Sequence, residues 1–105
     1  MAGLFDSDLI TSVGNTPTLV YQPLTDGVAM SLVLNNGHFG TLPVSVWIER
    51  GEDRITLAKD VRVLAGRPYE VLIGSKVAFK AGDKVFAKCP VAGAFTGVLP
   101  AYKDQ

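Results

Sequence analysis

The chain has one cysteine, one histidine and one tryptophan in 105 residues, and its ten basic and ten acidic side chains cancel. A single cysteine, Cys89, permits no disulfide within the chain, which excludes a stapled secreted scaffold. A single histidine, His38, sits in Asn-Asn-Gly-His-Phe-Gly. One imidazole and one distant thiol do not make a zinc ligand set or an acid–base pair. The charge balance leaves no clustered Lys/Arg footprint for nucleic acid. It also lacks the strong net charge that discourages self-association. No stretch approaches the roughly 18 consecutive apolar residues of a spanning helix, so no membrane partner is expected. Met-Ala-Gly-Leu-Phe-Asp carries no basic segment and no long apolar run, so no signal peptide is expected, and synthesis and assembly are expected in a reducing cytoplasm.

Hydrophobic residues make up 48% of the chain and charged residues 19%, enough apolar material for one packed core and too little charge for disorder. From Thr18 onward the side-chain period is two. Val28, Met30, Leu32 and Leu34 share one face of a run; Val44, Val46 and Ile48 share another; Val85, Ala87 and Cys89 a third. Turn chemistry separates the runs: Pro23 to Gly27, Asn35-Asn36-Gly37, Arg50 to Asp53, Ala65-Gly66 with Pro68, Gly82-Asp83, and Pro90 to Gly93. Asn-Gly and Gly-Asp suit tight hairpins, so a hairpin is expected from Ala78 to Ala87. No segment sustains a 3.6-residue period, and there is no internal repeat. About eight short strands at roughly ten-residue spacing predict an all-β fold: a single small antiparallel β-sandwich, jelly-roll or immunoglobulin-like.

The first residues differ from the rest. Leu4, Phe5, Leu9 and Ile10 alternate with Asp6, Ser7 and Asp8, and Ser12 to Pro17 forms a polar breaker. Two readings stand: a short arm over residues 1–17, with those four apolar side chains as anchors on a partner and the sandwich over 18–105, or an ordinary edge strand. As an arm, residues 1–16 would be removable without unfolding the sandwich.

Residues that could carry chemistry do not assemble into a site. Cys89 alternates with Val85 and Ala87, as a small core residue does. Asp6 and Asp8 have a spacing seen in some calcium loops, but no further oxygen ligand follows at a suitable interval. The glycines fall in turns, and none opens a helix with a Lys-Ser/Thr pair to hold phosphate. No catalytic residue, metal or cofactor is therefore expected, and the chain is not expected to be an enzyme. Two aromatics stand out. Trp47 shares a face with Ser45 and Glu49, and Phe86 lies between Lys84 and Lys88. Aromatics on a polar face mark partner surfaces, so Trp47 and Phe86 are candidate partner-binding residues. The alternative is that a loop or the N-terminal segment covers them within the same subunit.

Leu19-Val20-Tyr21 with Pro23, Met30 to Asn36, Val44 to Ile48, Val63-Leu64-Ala65-Gly66 and Phe79 to Val85 together resemble a group of small structural proteins of tailed-bacteriophage virions. The resemblance spans Thr18 to Tyr102 and rests on motifs of moderate specificity, since Ala-Gly-Asp turns recur in unrelated sandwiches. It implies a short N-terminal segment before a β-sandwich and a non-enzymatic role. That role is a head decoration (cement) protein binding the major capsid protein, or a neck, tail or baseplate component. It also implies virion localisation and a homo-oligomer within a symmetric particle. No functional residue is carried over, because the group has no catalytic motif. A reading from another class is a carbohydrate-binding sandwich with Trp47 and the Asn35–Gly40 loop as its platform.

Overall fold

A computed structural model describes the backbone of residues 3–72 and 76–104 and the side chains of residues 6–72 and 76–103. Its strands are β1 (Gly3–Ile10), β2 (Thr18–Tyr21), β3 (Gly27–Ala29), β4 (Val33–Asn36), β5 (Leu42–Arg50), β6 (Asp53–Val63), β7 (Pro68–Glu70), β8 (Val77–Phe79), β9 (Lys84–Lys88) and β10 (Phe95–Asp104). They form a six-stranded and a four-stranded sheet, and every pairing is antiparallel. The all-β sandwich that the alternation predicts is the fold.

The register reduces ten strands to eight. β3 and β4 both pair with β10, end to end: Ala29 lies opposite Ala101 and Val33 opposite Val98. Three residues separate Ala29 from Val33 where two separate Ala101 from Val98, so one strand runs from Gly27 to Asn36 with a one-residue bulge. Pro100, which has no N–H to give, lies in the facing gap and accepts from Met30 N at 2.9 Å. The bulge flips the alternation. Ala29, Leu32 and Leu34 are buried at 6%, 2% and 0% exposure, while Val28 and Met30 are partly exposed on the other side. The expected inward set of Val28, Met30, Leu32 and Leu34 is thus correct only in its second half.

β7 and β8 flank β4 and β3 in turn, so the two share one outer position in the sheet. Counted as eight, in chain order, the strands lie 1-8-3-6 in one sheet and 2-7-4-5 in the other. Pairs 1–8, 2–7, 3–6 and 4–5 are all antiparallel, which is the rolled-up hairpin of a jelly roll rather than an immunoglobulin sandwich.

The core lies between the sheets, around Phe95, Leu99, Leu32, Leu34, Val44 and Val46. Each such side chain contributes about 1.5–3 kcal/mol by leaving water. Gly97 sits inward between Phe95 and Leu99 because Leu34 fills its place: a Cβ there would press on the Val33 carbonyl and lie 2.7 Å from Leu34 Cδ2. Asn36 is wholly buried yet satisfied. Its Nδ2 donates to Gly40 O (3.0 Å) and Val63 O (2.9 Å), and its Oδ1 accepts from His38 N (2.8 Å). One side chain thereby ties the β4–β5 loop to the end of β6.

Turn positions match the sequence, but their destinations differ. Among the described residues, only Gly51-Glu52 joins neighbouring strands of one sheet by a two-residue turn, between β5 and β6. The expected Ala78–Ala87 hairpin is instead a corner: β8 pairs with β3 in one sheet, and β9 pairs with β2 and β5 in the other. Asp83 N donates to Lys80 O at 3.0 Å, and Gly82 between them has φ +88°, as the third position of a type II turn requires. The Asp83 carboxylate is buried and accepts from Lys80 N (2.8 Å), Arg50 Nε (2.8 Å) and Arg50 Nη2 (2.7 Å). Arg50 holds the Asp83 carboxyl below the usual carboxylate range, against the opposing effect of burial. The asparagine turn at 35–37 is a sheet-to-sheet corner in the same way.

The N-terminal segment is an edge strand. β1 pairs with β10 at every position from Gly3↔Asp104 to Ile10↔Gly97, and Ile10 and Val13 are core residues at 3% and 0% exposure. The β10 ladder and the burial of Ile10 and Val13 hold this segment to the sandwich, as the edge-strand reading expects.

Candidate functional site

The outer face of the four-stranded sheet carries a line of direct register neighbours: Leu19 on β2, Phe86 on β9, Trp47 on β5 and Thr56 on β6. The period of two places Trp47 and Phe86 there because Val46 and Ile48, Val85 and Ala87 take the inward positions. Trp47 lies on the expected face but is only 4% exposed. Phe86 stacks beside it with centroids 5.8 Å apart, the Arg54 guanidinium lies 4.2 Å from its ring centroid, and Nε1 donates to Glu49 Oε2 at 2.9 Å. Its cover comes from the same chain, through neighbouring side chains rather than the loop or arm considered from sequence. Phe86 is half-buried and Leu19 is exposed.

Among the other candidate contacts, Leu4 and Phe5 have side chains outside the described residues. Leu9 is 74% exposed. Ile10 points into the core, so it is not available to a partner.

A groove of about 570 Å³ runs beside Trp47, lined in part by Pro17, Pro43, Arg54, Lys88 and Pro90. The Asn35–Gly40 loop does not line it, so Trp47 and that loop form no common platform. In the loop, Gly40 N donates to His38 Nδ1 (3.2 Å), which places the imidazole proton on Nε2 when neutral, and the ring stacks on the exposed Phe39 at 4.2 Å.

The remaining reactive groups are buried or paired, and the Tyr21 hydroxyl is buried with no hydrogen-bond partner among the described residues. The Cys89 thiol is buried, lies within reach of Val91 O (3.1 Å) and Val13 O (3.5 Å), and is pushed up by burial, the opposite of an activated nucleophile. Asp8 is paired with Lys103 Nζ at 3.0 Å, and Asp6 accepts from Ser7 N. Burial pushes the Tyr21 phenol up to about 12, with Asp8 and Asp6 adding to the effect. Among the described residues no three His, Cys, Asp or Glu side chains gather as a metal site.

The sequence reading missed the other outer face. β10 is buried inward at Phe95, Leu99 and Ala101, yet its outward residues are Thr96, Val98, Pro100 and Tyr102. Leu9 and Val33 flank Val98, and Val28 lies beside Tyr102, all by direct register. A strand apolar on both faces is the mark of a sheet covered on both faces, and that signal was present in Phe95-Thr-Gly-Val-Leu-Pro-Ala-Tyr. The outer face of the four-stranded sheet contrasts with it, carrying Glu49, Arg54, Lys84 and Lys88.

No protein-family model matches this chain, and no curated protein is similar to it in sequence. Two solved structures are similar in fold, both crystal structures of a pentameric capsid protein isolated from metagenomic phage sequences. Each is 17% identical over 92% of this chain, with TM-scores of 0.43 and 0.44. The chain spans 60% and 62% of the length of those two proteins. A superposition that loose, at that identity, carries no functional information about this chain.

Proposed function

We propose that the chain is a non-enzymatic structural subunit of a tailed-phage particle. The observation that carries the reading is the strand order, 1-8-3-6 against 2-7-4-5. The jelly roll recurs in viral capsid domains, and also in lectins and cupins. Fold alone does not choose among these. The phage reading is favoured by the resemblance at Met30 to Asn36, Val44 to Ile48 and Phe79 to Val85, and by the apolar outward residues at the centre of the six-stranded sheet, which suit assembly. Within it we favour head decoration, bound to the major capsid protein, over a neck, tail or baseplate position. A small domain repeated over a lattice holds firmly although each contact is weak.

A glycan-binding module remains the second reading, favoured by the groove beside Trp47. Against it, Arg54 already occupies a face of that ring. Mass spectrometry of gradient-purified particles tests the main reading: the chain is expected among the virion proteins, and its absence there refutes the proposal. Saturable binding on a glycan array would favour the second reading.

A further inference from the structure

We propose that the groove beside Trp47 docks an extended acidic segment of another protein, one with carboxylates at alternate positions. Of the charged side chains that line it, Arg54, Lys59 and Lys88 are cations and only Asp60 is an anion. None of the three cations is within salt-bridge reach of a carboxylate among the described residues. Asp60 is tied down by its neighbour: Ser45 Oγ donates to Asp60 Oδ1 at 3.2 Å and accepts from Asp60 N at 2.9 Å. The groove is therefore net cationic on a chain whose formal charge is zero.

The strands set where these charges stand. Lys59 and Asp60 together oppose Ser45, since Val44 pairs with Val61 and Val46 with Ala58. This bulge needs a φ of +49° at Asp60, uncommon for a residue other than glycine, and the two Ser45 bonds hold it. The cations then fall at two levels. The Arg54 guanidinium lies 4.2 Å from the Trp47 ring centroid, at the level of Trp47. Lys88 is the direct neighbour of Ser45, and Lys59 lies opposite the same residue. Trp47 and Ser45 are two positions apart on β5, about 7 Å along the strand.

That spacing and the charge select the occupant. An extended chain places alternate side chains on one side, also about 7 Å apart. Carboxylates at two alternate positions of such a segment would meet Arg54 and the two lysines together. Arg54 suits the first, because its planar donor fork is already held against the indole and takes a carboxylate in bidentate fashion. Other anions suit the groove less. Single-stranded nucleic acid stacks its bases on a bare aromatic face, as a sugar ring does, and Trp47 is only 4% exposed. A lone phosphate would fill a small part of a groove of about 570 Å³. The groove lies on the four-stranded sheet, so its occupant is separate from any contact made by the opposite outer face. The site does not depend on whether the chain belongs to a phage particle.

Trp47 is the chain's one tryptophan, so its emission reports on the groove directly. Titration of the full chain with an octapeptide of alternating Gly and Glu is expected to change that emission and saturate, with Kd about 0.1–1 mM at low salt. Raising the ionic strength from about 0.02 to 0.3 M should weaken binding on the order of tenfold. Lys59→Gln and Lys88→Gln should each weaken it about threefold. Arg54→Gln should weaken it about tenfold, read by calorimetry because the substitution alters the emission itself. The three side chains are exposed, and melting checks that each variant folds. Lys84→Gln, on the same sheet but outside the groove, should bind as wild type does. No saturable signal up to about 5 mM peptide would overturn the proposal. So would equal binding of an octapeptide of alternating Gly and Gln, or a loss in Lys84→Gln as large as in Lys88→Gln. Tighter binding of trigalacturonate or of inorganic phosphate than of the peptide would overturn it too, since the groove would then serve acidic sugars or small anions.

Discussion

Trp47 and Phe86 face each other across β5 and β9, with ring centroids 5.8 Å apart and planes 17° from parallel. The pair lies outside the sandwich core, yet Trp47, against Phe86, Arg54 and Glu49, is nearly as buried as a core residue. An outward position in a strand is therefore not the same as an available one.

Trp47→Ser should lower stability by about 2–3 kcal/mol, somewhat less than a fully enclosed core aromatic. Urea unfolding measures it. A loss below about 0.5 kcal/mol, within the range of ordinary surface substitutions, would mean that the ring adds nothing to the monomer and is free for a partner.

The Asp83–Arg50 pair makes stability depend on acid. Asp83 has a depressed folded pKa, so the unfolded chain binds its proton more readily. Its contribution is complete above the unfolded value, about 3.9, and is lost as pH falls through the lower folded value. Asp83→Asn should therefore be less stable than wild type at neutral pH, with the gap closing in strong acid. Unfolding curves at neutral pH and near pH 2–3 check this, and a constant gap across that range would contradict it.

Asn36→Ala removes three hydrogen bonds, a buried one to Val63 O and part-buried ones with Gly40 O and His38 N. The expected cost is about 2–4 kcal/mol. Amide exchange should quicken at His38 and Gly40, and unchanged stability and exchange would show that the loop is held by other contacts.

Removing residues 1–16 should abolish cooperative unfolding, since Ile10 and Val13 leave the core and one edge of β10 loses its eight-residue ladder. This reverses the outcome that an arm implies. A truncated chain with wild-type β circular dichroism and melting would restore the arm.

Strand content, turn positions and the inward sets on β5 and β9 were legible in the sequence, because period two and turn chemistry are local. Three features were not, each for a non-local reason. Gly82-Asp83 bends the chain but cannot say whether β9 returns to the sheet of β8; Arg50 and the β3–β8 pairing decide that. The bulge after Ala29 answers a proline about 70 positions further along, so Val28 and Met30 look inward only when β10 is ignored. Asp6 and Asp8 set among apolar side chains allow residues 3–10 to be read as an arm with apolar anchors, although Asp8 is paired with Lys103 beside the Tyr21 ring. Among the candidate contacts, Leu9 is exposed, Ile10 is core, and Trp47 is covered. The apolar outer face of β10 escaped notice because it shares one run with a buried face.

The proposal that the chain is a structural virion component is tested most directly by counting it in purified particles before and after a wash in about 1 M NaCl, which screens surface charge but not apolar contact. The account predicts a fixed number of copies per particle that survives the wash. Absence of the chain, or a trace amount that the salt removes, would contradict it.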